Sequence, residues 1–98
     1  MAKLTTVYWR DIPAQVIAKE RRDTAKKVLT ERFAEAIDKA AMRAKMAGTD
    51  AYLEEWRREV VNCSRDLQVA ADEAAASLEQ SYDDARLDVL VSNGGLKP

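Results

Sequence analysis

The sequence predicts a small α+β domain: an N-terminal β-hairpin packed on a long helix, a short helix and a long C-terminal helix. Three observations predict it. Thr5-Thr6-Val7-Tyr8-Trp9 and a second run around Val16-Ile17 are rich in the β-branched and aromatic residues that suit a pleated, half-buried surface. Beyond them, apolar residues recur at spacings of three, four and seven, as in helices with one buried stripe. Ninety-eight residues, 47% hydrophobic and 34% charged, are enough for one modest core without disulfides or metal. Residues 1–98 are therefore expected as one domain, with a flexible tail at about 93–98.

The hairpin is expected from strands Leu4–Arg10 and Ala14–Lys19 joined by Asp11-Ile12-Pro13, with Arg10 opposite Ala14, Tyr8 opposite Val16 and Val7 opposite Ile17. No glycine offers a positive φ at this turn. Pro13 donates no ladder hydrogen bond, so its strand is expected at an edge or with a bulge. Whether Tyr8 or Trp9 points inward stays open, because both faces carry apolar residues. With only two strands, the sheet needs a third strand from 87–91, the helices, or a second chain along the Leu4–Arg10 edge.

Asp23 or Thr24 is the expected cap of a long helix reaching Ala47, with Ala25, Val28, Leu29, Phe33, Ala36, Ile37, Ala40, Ala41 and Ala44 as its buried stripe. Gly48 ends it, and Thr49 or Asp50 starts a short helix in which Tyr52, Leu53 and Trp56 share a face. Val60-Val61-Asn62-Cys63 fits no single pattern, and Ser64 is a plausible cap for the third helix. In that helix Leu67, Ala70, Ala71, Ala74, Leu78, Tyr82 and Ala85 form a narrow alanine-rich stripe, expected to pack along the long helix. Residues 87–91 fit either a continuation of the third helix or a strand.

The net charge of -1 conceals a polarity. Residues 1–46 carry 11 Lys and Arg against 6 Asp and Glu, whereas residues 47–98 carry 5 against 11. Such halves either pair with each other or present two faces to partners. There is no histidine, and Cys63 is alone, so neither an internal disulfide nor a His/Cys metal cluster is available. No apolar leader opens the sequence and no run is apolar enough to span a bilayer, so a reducing, cytoplasmic setting is expected.

Two surfaces are candidates for binding. Tyr8, Trp9, Arg10, Asp11, Tyr52 and Trp56 combine the residue types that dominate interface energetics. The alternative reading of the aromatics is a core between hairpin and short helix, and that of Arg10-Asp11 is an ion pair at a turn. Lys19, Arg21, Arg22, Lys26 and Lys27 would lie at the start of the long helix, where free N–H groups and the positive dipole end favour an anion. Glu31, Glu35 and Asp38 share a helix face, but without histidine they fit a solvated charged face better than a metal site. Cys63 lacks a histidine to activate it, and the three glycines fit no phosphate loop. The residues predict no catalytic group, cofactor or metal; the expected partners are a protein or second copy at an edge strand, or a small anion, with nucleic acid disfavoured by the acidic balance.

The string Tyr8-Trp9-Arg10-Asp11-Ile12-Pro13-Ala14-Gln15-Val16 resembles the opening of a small bacterial domain family labelled virulence factor (conserved virulence factor type). The resemblance continues through Arg32-Phe33, Ala36-Ile37-Asp38, Ala40-Ala41-Met42-Arg43, Asp50-Ala51-Tyr52-Leu53 and Trp56-Arg57-Arg58, and fades in the acidic C-terminal third. It implies no reaction, cofactor or catalytic residue. Occurrence of family members beside folate and corrinoid one-carbon enzymes implies an accessory role.

Overall fold

The computed structural model describes residues 2–98. In chain order it forms β1 (Lys3–Trp9), β2 (Ile12–Glu20), β3 (Asp23–Val28), α1 (Glu31–Arg43), α2 (Asp50–Glu54), β4 (Trp56–Asn62), α3 (Leu67–Ser81) and α4 (Asp84–Ser92). The four strands make one antiparallel sheet in the order β3-β2-β1-β4. The class is α+β as the pattern predicts, but the sheet has twice the expected number of strands.

The two added strands correct two helical expectations. Asp23 to Val28 is a strand and not the first turns of a helix; Thr30, not Asp23 or Thr24, stands at the N-cap of α1. Likewise α2 ends at Glu54, and Trp56 opens β4 instead of sharing a helical face with Tyr52 and Leu53. Strand β4 also absorbs the ambiguous Val60-Val61-Asn62. It pairs along the whole of β1 from Lys3–Asn62 to Trp9–Trp56. Strand β1 is thus internal, and the expected free edge at Leu4–Arg10 does not exist.

The β1–β2 turn is tighter than expected: Arg10-Asp11 connects Trp9 to Ile12, which are cross-strand partners. Arg10 itself supplies the positive φ (53°), as Arg21 (54°) does in the β2–β3 turn. Left-handed backbone is costly for a side chain with a Cβ, so neither turn carries the usual Gly or Asn signal. The expected pairs shift accordingly, to Thr6–Val16, Val7–Gln15 and Tyr8–Pro13, with an irregularity that leaves Ala14 unpaired with β1. This bulge agrees with Pro13's missing donor. The carbonyl of Ala14 instead accepts the Leu29 N–H (3.1 Å) as the chain leaves β3.

The core joins Trp9, Ile12 and Val16 of the sheet to Phe33, Ile37 and Ala40 of α1, Ala71 of α3 and Leu87 and Leu90 of α4. The 3.6-residue stripe of α1 holds as expected from Phe33 to Ala41. The alanine stripe departs from expectation: α3 packs on β2 and β3, and it is α4 that packs along α1. Residues 87–91 are helical. The expected single C-terminal helix breaks at Tyr82-Asp83, where the Asp83 carboxylate caps α4 by accepting the Arg86 N–H (2.8 Å). Asp66, not Ser64, caps α3 in the same way.

Candidate functional site

The aromatic and arginine signature lies at the β1–β2 turn, and the turn is fastened from every side. Trp9 is fully buried, its indole N–H donating to the Tyr52 carbonyl (2.9 Å) and its ring stacked on Tyr52 with centroids 5.5 Å apart. The Arg10 guanidinium donates to the Gly94 carbonyl (3.0 Å), to Met46 Sδ (3.1 Å) and to Glu55 Oε1 (3.3 Å). Asp11 accepts from Arg57 Nη2 (3.0 Å) and from the Lys97 N–H (2.7 Å), while its own N–H donates to the Gly95 carbonyl (2.8 Å). Residues 94–97, expected as part of a tail, are therefore bonded to this turn. Gly95, at a φ of +92°, lets the chain pass the indole; a Cβ there would stand 2.7 Å from Trp9 Cζ3.

Arg57 links this corner to the neighbouring ring. It donates to the Arg10 carbonyl (2.9 Å), pairs with Glu59, and lies over Tyr8 (4.4 Å to the centroid). Burial opposes its charge, but Glu59 and Asp11 outweigh burial and raise its pKa. Burial, with help from Tyr82 and Glu59, raises that of Tyr8 above the ordinary tyrosine value. Of the six expected partner-contact residues, Trp9 is wholly internal and Arg10, Asp11 and Tyr8 are engaged within the chain. Trp56 is the exposed one of the six, in edge-to-face contact with the half-buried Tyr52 (6.0 Å).

A different surface emerges from the strand registers. Val16, Ala18 and Ala25 face the core and α3. Alternation therefore sends their neighbours to the opposite face of the sheet. Across β3, β2, β1 and β4, that face carries Thr24, Lys19, Lys3 and Asn62; then Lys26, Ile17, Thr5 and Val60; then Val28, Gln15, Val7 and Arg58; and beyond them Trp56 with its cross-strand partner Trp9. The first two rows are open, whereas Val7 and Trp9 are buried, with Tyr52 stacked on Trp9. Four cations surround an apolar centre, and none of these strand positions is a carboxylate. Lys3 stands directly opposite Lys19, with Lys26 on the diagonal. Among the described residues none of the four cations meets a carboxylate at ion-pair distance; Lys3 Nζ donates to Asn62 Oδ1.

At the Trp56 end this face descends into an apolar cavity of about 180 Å³. Gln15 and Val28 line it from the sheet, Ile37 and Asp38 from α1, with Tyr52 and Trp56 between. Burial, and then the nearby Asp38, raises the Tyr52 pKa. Val28, at the cavity rim, is 64% exposed, and Val60, on the other edge strand, is 57% exposed.

The expected anion cluster is rearranged accordingly. It has no helix start to work with, because residues 23–28 are extended. Lys19 and Lys26 join the open face, Lys27 points to the other side of the sheet, and Arg21 and Arg22 sit in the β2–β3 turn. Lys3, Ile17, Arg58 and Val60 complete the face. Their signal in the sequence was period-two alternation, which surfaces only once β3 and β4 are known to be strands. Glu31, Glu35 and Asp38 lie on α1, and among the described residues no cluster of three or more Asp, Glu or Cys is placed to hold a metal. Cys63 is half-buried at the end of β4, its N–H donating to the Ala2 carbonyl. No described helix is long and apolar enough to cross a membrane.

A family model described as Virulence factor matches residues 7–91. The match runs well past Arg58, through β4, α3 and most of α4, and so covers the acidic third where the likeness of individual strings fades. No curated protein and no solved structure matches the chain.

Proposed function

We propose, from the premise that the chain belongs to the Virulence factor family, that it is a small cytoplasmic, non-enzymatic accessory module that binds an acidic surface of a larger protein through its open sheet face. The observation that carries this reading is the direct opposition of Lys3 and Lys19 on a face whose strand positions hold no carboxylate. Like charges directly opposite each other destabilise a sheet. An arrangement that costs stability while leaving its cations without a carboxylate partner among the described residues is best explained by an anionic counterpart that compensates them on binding.

The apolar centre favours a protein over other polyanions. Ile17, Val60 and Val28 offer aliphatic surface, and Trp56 stands at one end as an anchor of the type that dominates interfaces. Single-stranded nucleic acid would call for aromatic stacking platforms among the cations, and the middle rows present Thr, Ile, Val and Gln instead. An amphipathic helix with acidic flanks fits the pattern: its apolar ridge on the central stripe, its carboxylates toward Lys19, Lys26 and Arg58. The one-carbon enzymes implied by the resemblance are the first partner class to test.

Capture from native lysate with the full chain tests the proposal when it is run beside a K19E/K26E/R58E variant and across a salt series. The expected result is a stoichiometric partner that is held at low salt, lost at high salt and absent with the variant. Equal recovery by both proteins, or salt-independent recovery, would rule the open face out as the binding surface.

A further inference from the structure

The sheet has two free edges, and they are not alike. Strand β3 ends the sheet with Lys26 and Lys27 and is flanked by Arg21-Arg22; antiparallel pairing with itself would bring lysines together, a common means of blunting an edge. Strand β4 is defended only over Arg57 and Arg58, where Glu59 offers a countercharge, and its second half, Val60 to Asn62, is uncharged. It is seven residues long, with Val60 and Val61 on opposite faces and each 57% exposed.

Two hydrogen bonds bracket the pairing of β4 with β1: Arg10 N–H to the Glu55 carbonyl and Cys63 N–H to the Ala2 carbonyl, both 3.1 Å. The register between them is unbroken. In an antiparallel ladder, residues alternate between bonding the neighbour and pointing away from it. Positions 55, 57, 59, 61 and 63 therefore bond β1, and the N–H and C=O groups of Trp56, Arg58, Val60 and Asn62 point to the free edge.

We infer that β4 is a self-association edge, at which a second copy of this chain adds its own β4 in antiparallel pairing. Two-fold pairing must oppose even-numbered positions to even-numbered positions, since those carry the free backbone groups. Centred on Arg58, it sets Arg57 against Glu59 of the second copy twice and Trp56 against Val60 twice, at the cost of one Arg58–Arg58 opposition. Centred on Val60, it opposes valine to valine and brings no like charges together. Directly opposed residues in an antiparallel pair lie on the same face. Both open faces of such a dimer would thus point the same way, as one eight-stranded platform with two cation sets side by side. The near-zero net charge of the chain places no large repulsion between copies. One strand pair alone buries less than a standard interface of about 1,200 Å² or more, so the dimer is weak.

Sedimentation of the full chain from micromolar to millimolar concentration tests this, with amide exchange at both extremes. The expected result is a monomer–dimer equilibrium in which the amides of Arg58, Val60 and Asn62 gain protection at high concentration. Those of Arg57, Glu59 and Val61, already bonded to β1, should not change. Val60→Pro deletes one outward donor and should leave a folded monomer; Val60→Lys, which keeps the donor and adds charge at the edge, should weaken the dimer at least tenfold if the proline variant fails to fold. K19E/K26E, on the far strands, should leave the equilibrium as it is. A chain that stays monomeric at millimolar concentration, or a dimer unaffected by a folded Val60 variant, overturns the inference.

Discussion

The β1–β2 corner and the open sheet face use charge in opposite ways. At the corner Arg10, Asp11 and Arg57 are bonded within the chain, with Arg10 Nε alone left buried without a partner among the described residues, and their ion pairs join the two halves of the chain. On the open face Lys3, Lys19, Lys26 and Arg58 meet no carboxylate at ion-pair distance among the described residues, and two of them are directly opposed. The first region ties the two halves together through Arg10–Glu55, which follows the charge polarity, and Arg57–Asp11, which runs against it. The second keeps four cations facing outward. A Trp-Arg-Asp string looks like a contact surface, yet its geometry is that of a fastening, whereas scattered lysines converge into the surface that can receive a partner.

The corner is most sensitive at Trp9, which is fully buried. Trp9→Ala should lower unfolding free energy by about 3–5 kcal/mol, the range for truncating a buried aromatic, read from urea denaturation. Trp9→Phe keeps a ring and should lose less, which separates packing from the hydrogen bond to Tyr52. A Trp9→Ala protein of unchanged stability would mean that the corner is not structural. Gly95→Ala is the next test. Its Cβ would meet the indole at a φ that side chains rarely adopt, so a loss of about 1–3 kcal/mol is expected. Neither change should alter the salt dependence of partner capture if the protein remains folded.

Legibility in the sequence followed the same divide. Class, the pairing of the first two strands, the alternative of an edge or a bulge near Pro13 and the Phe33–Ala41 stripe could be read because each rests on local pattern, although the turn is shorter and the register different from those expected. Strand β3 could not: Ala25, Val28 and Leu29 have helical spacing, and only Ala25 of its six residues is buried. Its turn uses Arg21 in a left-handed conformation, which announces no hairpin. Strand β4 was hidden similarly, because Tyr52, Leu53 and Trp56 fit a helix and the change to extended chain at Glu55-Trp56 has no Gly or Pro to mark it. The open face depends on both missed strands and on long-range register, so its residues were visible singly and not as a set.

Glu79 sharpens the contrast through pH. It accepts from the Thr30 N–H (2.7 Å) and hydroxyl (2.9 Å) and pairs with Arg32 (3.0 Å), tying the start of α1 to α3. Burial alone would raise its pKa, but the Thr30 and Arg32 bonds outweigh burial and lower it. A carboxylate with a lowered folded pKa stabilises fully above its unfolded value, about 4.3, and loses that contribution as pH falls through the folded value. Acidification below that unfolded value should therefore destabilise the wild type more than Glu79→Gln, and their denaturation midpoints should converge. Parallel pH profiles would show that Glu79 is only a surface charge.

The smallest effect discriminates best, because its sign is reversed. Removing a charge from the corner or from Glu79 strips partners and must destabilise. Removing one from the open face relieves the opposition of Lys3 and Lys19. Lys19→Gln should therefore raise stability by about 0.2–0.5 kcal/mol, within the range for cross-strand charge pairs, while weakening partner capture. The gain should fade at about 1 M salt, where the screening length falls to about 3 Å. A loss of stability would mean that Lys19 has a stabilising role within the chain, and the open face would then be internal electrostatics like the corner. A gain with weakened capture is what a surface retained for binding, at some cost to the fold, must give.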